Sequence, residues 1–269
     1  MNTFLVIAAV LVILYLLVRA WLKKRLEKLQ DVRFTDTLGG QEAPNFEVTD
    51  TEGRTHSRDS LLQGKEVLAV VLFATWCRPC EKEFPEMDAV YQKYADRMGM
   101  IAVNVDKLDD EKAVRTYAEK HHFSFPVAKG NDSLGTIQTT MYPTTLIIDR
   151  TGKIGLWRVG SIPTGAAFER IITAFMGDAY QPRQLGYYTF MAFTSRTAVP
   201  GVEFSVTSEA GTETFQTDAE GKCDVFTEKP EDLQVNVLRV PDGFVIDGTG
   251  EFRSGTGSTY ISLPVNKVQ

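Results

Sequence analysis

The run Val67-Leu68-Ala69-Val70-Val71-Leu72-Phe73-Ala74 carries no polar side chain, and it leads directly through Thr75 and Trp76 to a pair of cysteines, Cys77 and Cys80. An apolar stretch of this kind reads as a strand buried on both faces, so it belongs in the interior of a sheet with covering elements above and below. After the cysteines the period changes. Phe84, Met87, Val90, Tyr91 and Tyr94 fall at helical spacing within 78–98, which predicts an amphipathic helix. The order is strand, Cys-x-x-Cys, helix.

Around this core the chain reads as an α/β unit. A short strand over Phe46 and Val48 is expected to turn at Asp50–Gly53, and Met100–Val105 is a second apolar strand. A helix over 109–120 follows, with Val114 and Tyr117 inward, closing a βαβ unit. Leu146–Ile148, a hairpin at Gly152, a return strand over Ile154–Val159 and a helix over 164–175 complete it. Helical periodicity stops near Gln181-Pro182-Arg183. Short alternating segments replace it at 188–193, 202–206, 215–217, 233–238 and 260–263, separated by turns such as Asp218–Gly221 and Pro241–Gly243. The expected layout is an α/β domain over 41–181 that carries the cysteine pair and an all-β sandwich over 182–269.

The first residues are of another kind. From Phe4 to Val18 every residue is apolar or Tyr, and with Arg19 snorkelling the stretch Thr3–Leu22 is long enough to span a bilayer. Met1–Thr3 lacks the basic start of a cleaved signal peptide. The expectation is a retained transmembrane anchor over 1–22 and a juxtamembrane linker over 23–40. Lys23, Lys24, Arg25 and Lys28 form a positive collar on the C-terminal side of the anchor, and by the positive-inside rule that collar places the rest of the chain in the cytoplasm. A net charge of −6 offers no basic face for phosphates and argues against a nucleic-acid partner.

Three cysteines are too few for a disulfide scaffold, which leaves the Cys77/Cys80 pair as the feature to explain. Disulfide exchange needs one thiolate to attack and a second thiol near enough to resolve the mixed disulfide. A helix N-terminus favours the thiolate of the first cysteine through its free N–H groups and partial positive charge. Cys77 is thus the expected nucleophile and Cys80 the resolving thiol, with Pro79 stiffening the turn, Trp76 shielding one side and Arg78 favouring the thiolate. No cofactor is expected beyond this redox-active pair. A zinc half-site would need a second ligand pair, which the spacing does not provide. A peroxidase would need Thr where Ala74 stands. Cys223 is read as a small buried hydrophobe in a strand rather than a third redox thiol.

The strand leading into Trp76-Cys77-Arg78-Pro79-Cys80, then Pro85, then Met141-Tyr142-Pro143-Thr144-Thr145, resemble the thioredoxin superfamily, and Pro143 matches its cis-proline. Within it, the Ala43-Pro44-Asn45-Phe46 opening, Glu83-Phe84-Pro85 and the segment from Pro143 to Lys153 are similar to membrane-tethered extracytoplasmic reductases of the TlpA and ResA type. The resemblance covers Ala43 to Phe175. It implies a thioredoxin fold, a protein-disulfide reductase activity and an extracytoplasmic location, opposite to the one the charge collar gives. It implies substrate contacts at Tyr142 and Pro143 as well as around Trp76, Arg78 and Pro79. Ordinary thioredoxins carry a buried Asp where this chain has Val71, and Glu83 matches the glutamate that the reductases place near the cysteines. Glu83 is therefore the expected proton acceptor for the resolving thiol. The partners implied are a disulfide-containing protein, a membrane or soluble thiol electron donor, and the membrane itself. An oxidase or isomerase, or an adaptor whose sandwich recruits one client, are the competing readings. Gly201–Phe204, Thr217–Lys222 and Pro241–Phe244 resemble Cna-B type sandwich modules; no internal crosslink is expected, because Val237-Leu238-Arg239 lacks the assisting acid.

Overall fold

The computed structural model describes residues 39–177, 184–194, 197–254 and 260–268. The expected anchor and most of the linker lie outside these residues. Among the described residues no helix is long and apolar enough to cross a membrane.

The strand predicted from the apolar run is the centre of the fold. After a short antiparallel pair, β1 (Glu47–Thr49) and β2 (Thr55–Ser57), and a one-turn helix α1 (Arg58–Leu62), the chain enters β3 (Val67–Phe73). Helix α2 (Arg78–Tyr94), β4 (Met98–Asn104), α3 (Glu111–His121), β5 (Val127–Lys129), a 3₁₀ turn (Asp132–Ile137), β6 (Thr144–Asp149), β7 (Ile154–Val159) and α4 (Gly165–Thr173) follow. The five-stranded sheet has the order β5-β4-β3-β6-β7, with β3, β4 and β5 parallel and β6 and β7 antiparallel to their neighbours.

Every residue of β3 is buried, and the strand's period of two divides them between two cores. Val67, Ala69, Val71 and Phe73 pack with Phe84, Met87 and Val90 of α2, Val114 and Tyr117 of α3, and Phe168 and Ile171 of α4. Leu68, Val70 and Leu72 face the other way, onto Phe46, Val48, Leu134, Ile137 and Leu146. A thioredoxin fold results, with α2 held by its apolar stripe against one face of the sheet.

Beyond α4 the described chain is all β. Strands β8 (Gly186–Met191), β9 (Phe193–Thr194), β10 (Thr197–Ala198), β11 (Glu203–Ser208), β12 (Gly211–Gln216), β13 (Lys222–Thr227), β14 (Leu233–Arg239), β15 (Phe244–Ile246), β16 (Glu251–Ser254), β17 (Tyr260–Ser262) and β18 (Val265–Lys267) form a four-stranded sheet β12-β11-β14-β16, a three-stranded sheet β13-β8-β17 and two small pairs. Phe190, Val202, Phe204, Val225, Val235 and Ile261 share one core drawn from both larger sheets. Strand β8 also faces the redox core: Leu185, just before it, and Tyr187 pack with the α2 and α4 residues, and the Leu185 amide donates to Gly155 O at 2.9 Å.

Several sequence expectations shift. The helix expected to reach Met98 ends at Tyr94, because Met98 is buried and paired with Val67 at the start of β4. The strand expected at 215–217 is Gly211–Gln216, whose exposed Thr and Glu side chains mark it as an outer strand and hid it from a hydrophobic reading. Strands β5, β15, β16 and β18 are too short, at 3 to 4 residues, to leave a period in the sequence.

One close approach fixes how α1 meets the sheet. A Cβ on Gly99 would stand 2.3 Å from the Leu61 carbonyl oxygen, a backbone atom with little room to retreat. Gly99→Ala is expected to lower the unfolding free energy by about 1–3 kcal/mol, read as a fall in the urea midpoint at unchanged slope.

Candidate active site

Strand β3 delivers the chain to the site. Past Phe73, the Cys77 amide donates to Ala74 O at 3.1 Å to close a turn, and Cys77 then caps helix α2. Its Sγ accepts from the Cys80 amide at 3.3 Å, the place where a cap oxygen usually sits. That N–H, with the partial positive charge of the helix end, is what a Cys77 thiolate would meet. Pro79 occupies the first turn of the helix, where a missing N–H costs nothing. Cys77 and Cys80 are joined as a disulfide with Cα atoms 5.3 Å apart. In this oxidised state Cys77 is 4% exposed and Cys80 0%, so the order of exposure is as expected but the first sulfur is nearly covered. Both belong to the apolar core around Phe73 and Phe84.

The approach to the pair is clamped from the loop after β4. Asp109 accepts from the Thr75 amide at 2.7 Å, from the Thr75 hydroxyl at 2.6 Å and from Asn104 Nδ2 at 2.7 Å. Burial opposes its ionisation, yet these bonds hold the carboxyl below its ordinary range. The sequence pattern places Asp109 at the start of α3. The cap is instead Asp110, which accepts from Ala113 N at 2.8 Å, leaving Asp109 free to turn back toward Thr75. Asp106 accepts from both the Trp76 indole N–H and, at 2.8 Å, the Leu108 amide. Trp76 is thereby pinned at its nitrogen while its ring stays 63% exposed.

The Tyr142–Pro143 peptide bond is cis. Register pairs Thr144 with Leu72, so Pro143 lies across from the end of β3 that leads into the disulfide. The Tyr142 ring meets the Trp76 ring edge-on, with centroids 5.8 Å apart. Trp76, Tyr142 and Pro143 are thus gathered around the cysteines, while Arg78 and Pro79 are exposed on the first turn of α2. The Pro143 carbonyl accepts from Gly160 N at 2.8 Å.

Glu83 lies one turn beyond Cys80 on the buried face of α2, in a row with Phe84, Met87 and Val90. Its Oε2 accepts from the Ile162 amide at 2.8 Å, whereas Oε1 is buried without a hydrogen bond. Burial pushes its carboxyl up to about 8, against the opposing pull of the Ile162 bond and the charge of Arg158. A carboxyl of that affinity exchanges its proton near neutrality, as a proton acceptor for a thiol must. Tyr117, whose hydroxyl is also buried without a partner, is raised by burial and by Glu81 and Glu83.

The sequence singles out the cysteines, Trp76, Arg78, Pro79, Glu83, Tyr142 and Pro143; the structure adds Thr75, Asn104, Asp106 and Asp109 on the approach to the disulfide, which the sequence does not single out. A polar Asn104 at the end of an otherwise apolar strand was the one legible hint. Cys223 lies in β13, half-buried against the C-terminal core. Burial, then Asp224 and Asp218, push its thiol up to about 11.

The fold and the Cys-x-x-Cys disulfide at a helix N-terminus define a thioredoxin-like dithiol/disulfide protein. The AhpC/TSA family model matches residues 39–156. The chain is 40% identical over 117 residues to the thiol-disulfide oxidoreductase ResA of Bacillus cereus, a match covering 43% of this chain and 66%, just under two thirds, of that one. It is 35% identical over 125 residues to the thioredoxin-like protein YneN of Bacillus subtilis, covering 46% of this chain and 72% of that one. A thiol:disulfide interchange protein of Chlorobium tepidum, known from a crystal structure, is 30% identical with a TM-score of 0.45, covering 51% of this chain and 96% of that one. The chain belongs to the AhpC/TSA family, and over the matched residues it is thioredoxin-like.

The raised Glu83 carboxyl makes stability depend on pH with a defined sign. Its folded affinity, about 8, lies above the ordinary 4.5. The folded state therefore binds the proton more tightly, and the resulting stabilisation is full below pH 4.5 and lost as pH rises through 8. Glu83→Gln removes this titration. Melting temperatures of the parent are expected to fall relative to the variant across that window, and a constant difference between the two would contradict the assignment.

Proposed function

We propose that this protein is a membrane-tethered protein-disulfide reductase whose redox domain works outside the cytoplasm. The observation that carries the chemistry is the pairing of a cysteine at the N-cap of α2 with a buried carboxylate one turn beyond its partner cysteine. In the dithiol state the Cys77 thiolate attacks one sulfur of a client disulfide, forming a Cys77–client bond and releasing the other client sulfur as a thiolate. Glu83 accepts the proton of Cys80. The Cys80 thiolate then attacks Cys77 Sγ, closing the Cys77–Cys80 disulfide and releasing the second client sulfur as a thiolate, which takes up the proton held by Glu83. Two electrons pass to the client, and an external thiol donor restores the pair.

The reducing direction rests on the similarity to reductases of the TlpA and ResA type. Trp76, Tyr142 and Pro143, with Arg78 and Pro79, form the surface on which the client polypeptide lies. The tether rests on the apolar stretch Thr3–Leu22, and the extracytoplasmic side on the similarity to the TlpA and ResA type. Labelling of the reduced pair by an impermeant thiol reagent in intact cells tests that side; protection from it would place the domain in the cytoplasm.

Cys77→Ser is expected to abolish turnover, and Cys80→Ser to accumulate mixed disulfides with clients, resolved by non-reducing electrophoresis. Titrated against a thiol buffer, the pair is expected at or below about −250 mV; a value of about −120 to −180 mV would make the protein an oxidant or isomerase.

A further inference from the structure

Strand β7 carries a charged residue in the middle of a packed region. Arg158 is 1% exposed, and it sits two residues before Gly160, at the root of the loop whose amides hold Pro143 and Glu83. Its guanidinium is enclosed by the C-terminal β region. Nη1 donates to the Tyr187 carbonyl at 3.3 Å and Nη2 to the Thr189 hydroxyl at 2.7 Å. The rings of Tyr187 and Tyr260 lie 4.1 and 4.6 Å from its central carbon. Behind them the Thr189 and Tyr187 hydroxyls donate to the two oxygens of Asp224 on β13, at 2.7 and 3.1 Å. Isolated, a buried guanidinium is costly; here two strands and two rings from the β region are arranged to keep it.

A second contact reaches the same loop. A Cβ on Gly160, which has φ of +94°, would fall 2.1 Å from the Tyr260 hydroxyl. The Tyr260 side chain therefore lies against the residue whose amide donates to Pro143 O. Two residues on, the Ile162 amide donates to Glu83.

We propose that Arg158 is a positioning residue of the redox centre, and that through it and Tyr260 the C-terminal β region holds the 160–162 loop against Glu83 and Pro143. The β region is then a working part of the catalytic unit, not an appended module. This rests on the role given to Glu83 above. Arg158 also favours the Glu83 carboxylate by its charge. The other groups bearing on Glu83 are the Tyr117 hydroxyl from α3, the Ile162 amide from the loop and Cys80 on its own helix; α4 contributes apolar Phe168 and Ile171 to this core.

The test uses the full chain, reduced beforehand, reacting in single turnover with a quenched fluorescent peptide disulfide from pH 5 to 10. Glu83→Gln should remove one inflection from the rate profile. Arg158→Met should move that inflection upward by about one pH unit, the effect of losing a nearby opposite charge, and Arg158→Lys should restore part of it. Tyr260→Leu should move it the same way by less, and it decides the matter if Arg158→Met does not fold. Arg170→Met removes another cation of the same interface, one that lies 4.4 Å from the Phe226 ring, and should leave the inflection in place. Superimposable profiles for the parent and Tyr260→Leu or Arg158→Met, with Glu83→Gln still altered, would overturn the proposal alone. An unaltered Glu83→Gln profile would overturn the role of Glu83 and this proposal with it.

Discussion

Strand β3 is hydrogen-bonded on both edges, to β4 and β6, and packed on both faces. A segment restrained in this way cannot adjust to its surroundings, so everything attached to its C-terminal end inherits a fixed position. Thr75, Trp76 and Cys77 leave that end within four residues, and the pairing of Leu72 with Thr144 fixes Pro143 beside them. The reactive groups come from α2, the β4–α3 loop and the β6 start, yet they share one reference.

Apolar packing supplies most of the frame, whereas the chemistry depends on a few polar groups admitted into it. Glu83 occupies a position of α2 that spacing alone would assign to Leu or Met. Its cost of burial is partly offset by the Ile162 amide and is expressed as an elevated proton affinity. Asp109 shows the opposite outcome from similar burial, since three donors keep its carboxylate ionised. Two buried acids therefore end in opposite states: burial raises the Glu83 carboxyl, while the Asp109 carboxylate stays ionised and holds the backbone leading to Cys77.

Much of this was legible in the sequence. The continuous apolar run, the change of period after Cys80 and the Tyr-Pro before a β-branched strand announce β3, α2 and the proline loop, because each signal is local. Glu83 needed a family resemblance to separate it from Glu81 and Glu86, which share its helix and face solvent. Asp106, Asp109 and Arg158 could not be read in advance. Their partners lie about thirty residues away in the chain, and a charged residue beside a turn or within an outer strand looks solvated until the fold brings its partners up to it. Strands β15, β16 and β18 escaped for a simpler reason: at three or four residues each they leave little alternation to read.

Cys223 has a bearing on the fidelity of the couple. With its proton affinity at about 11, only about one molecule in ten thousand carries that thiol ionised at neutral pH. A third sulfur of ordinary acidity could capture Cys77 and divert it into an unproductive isomer. Burial in β13 thus leaves this third thiol a weak competitor for a sulfur partner beside the Cys77–Cys80 pair.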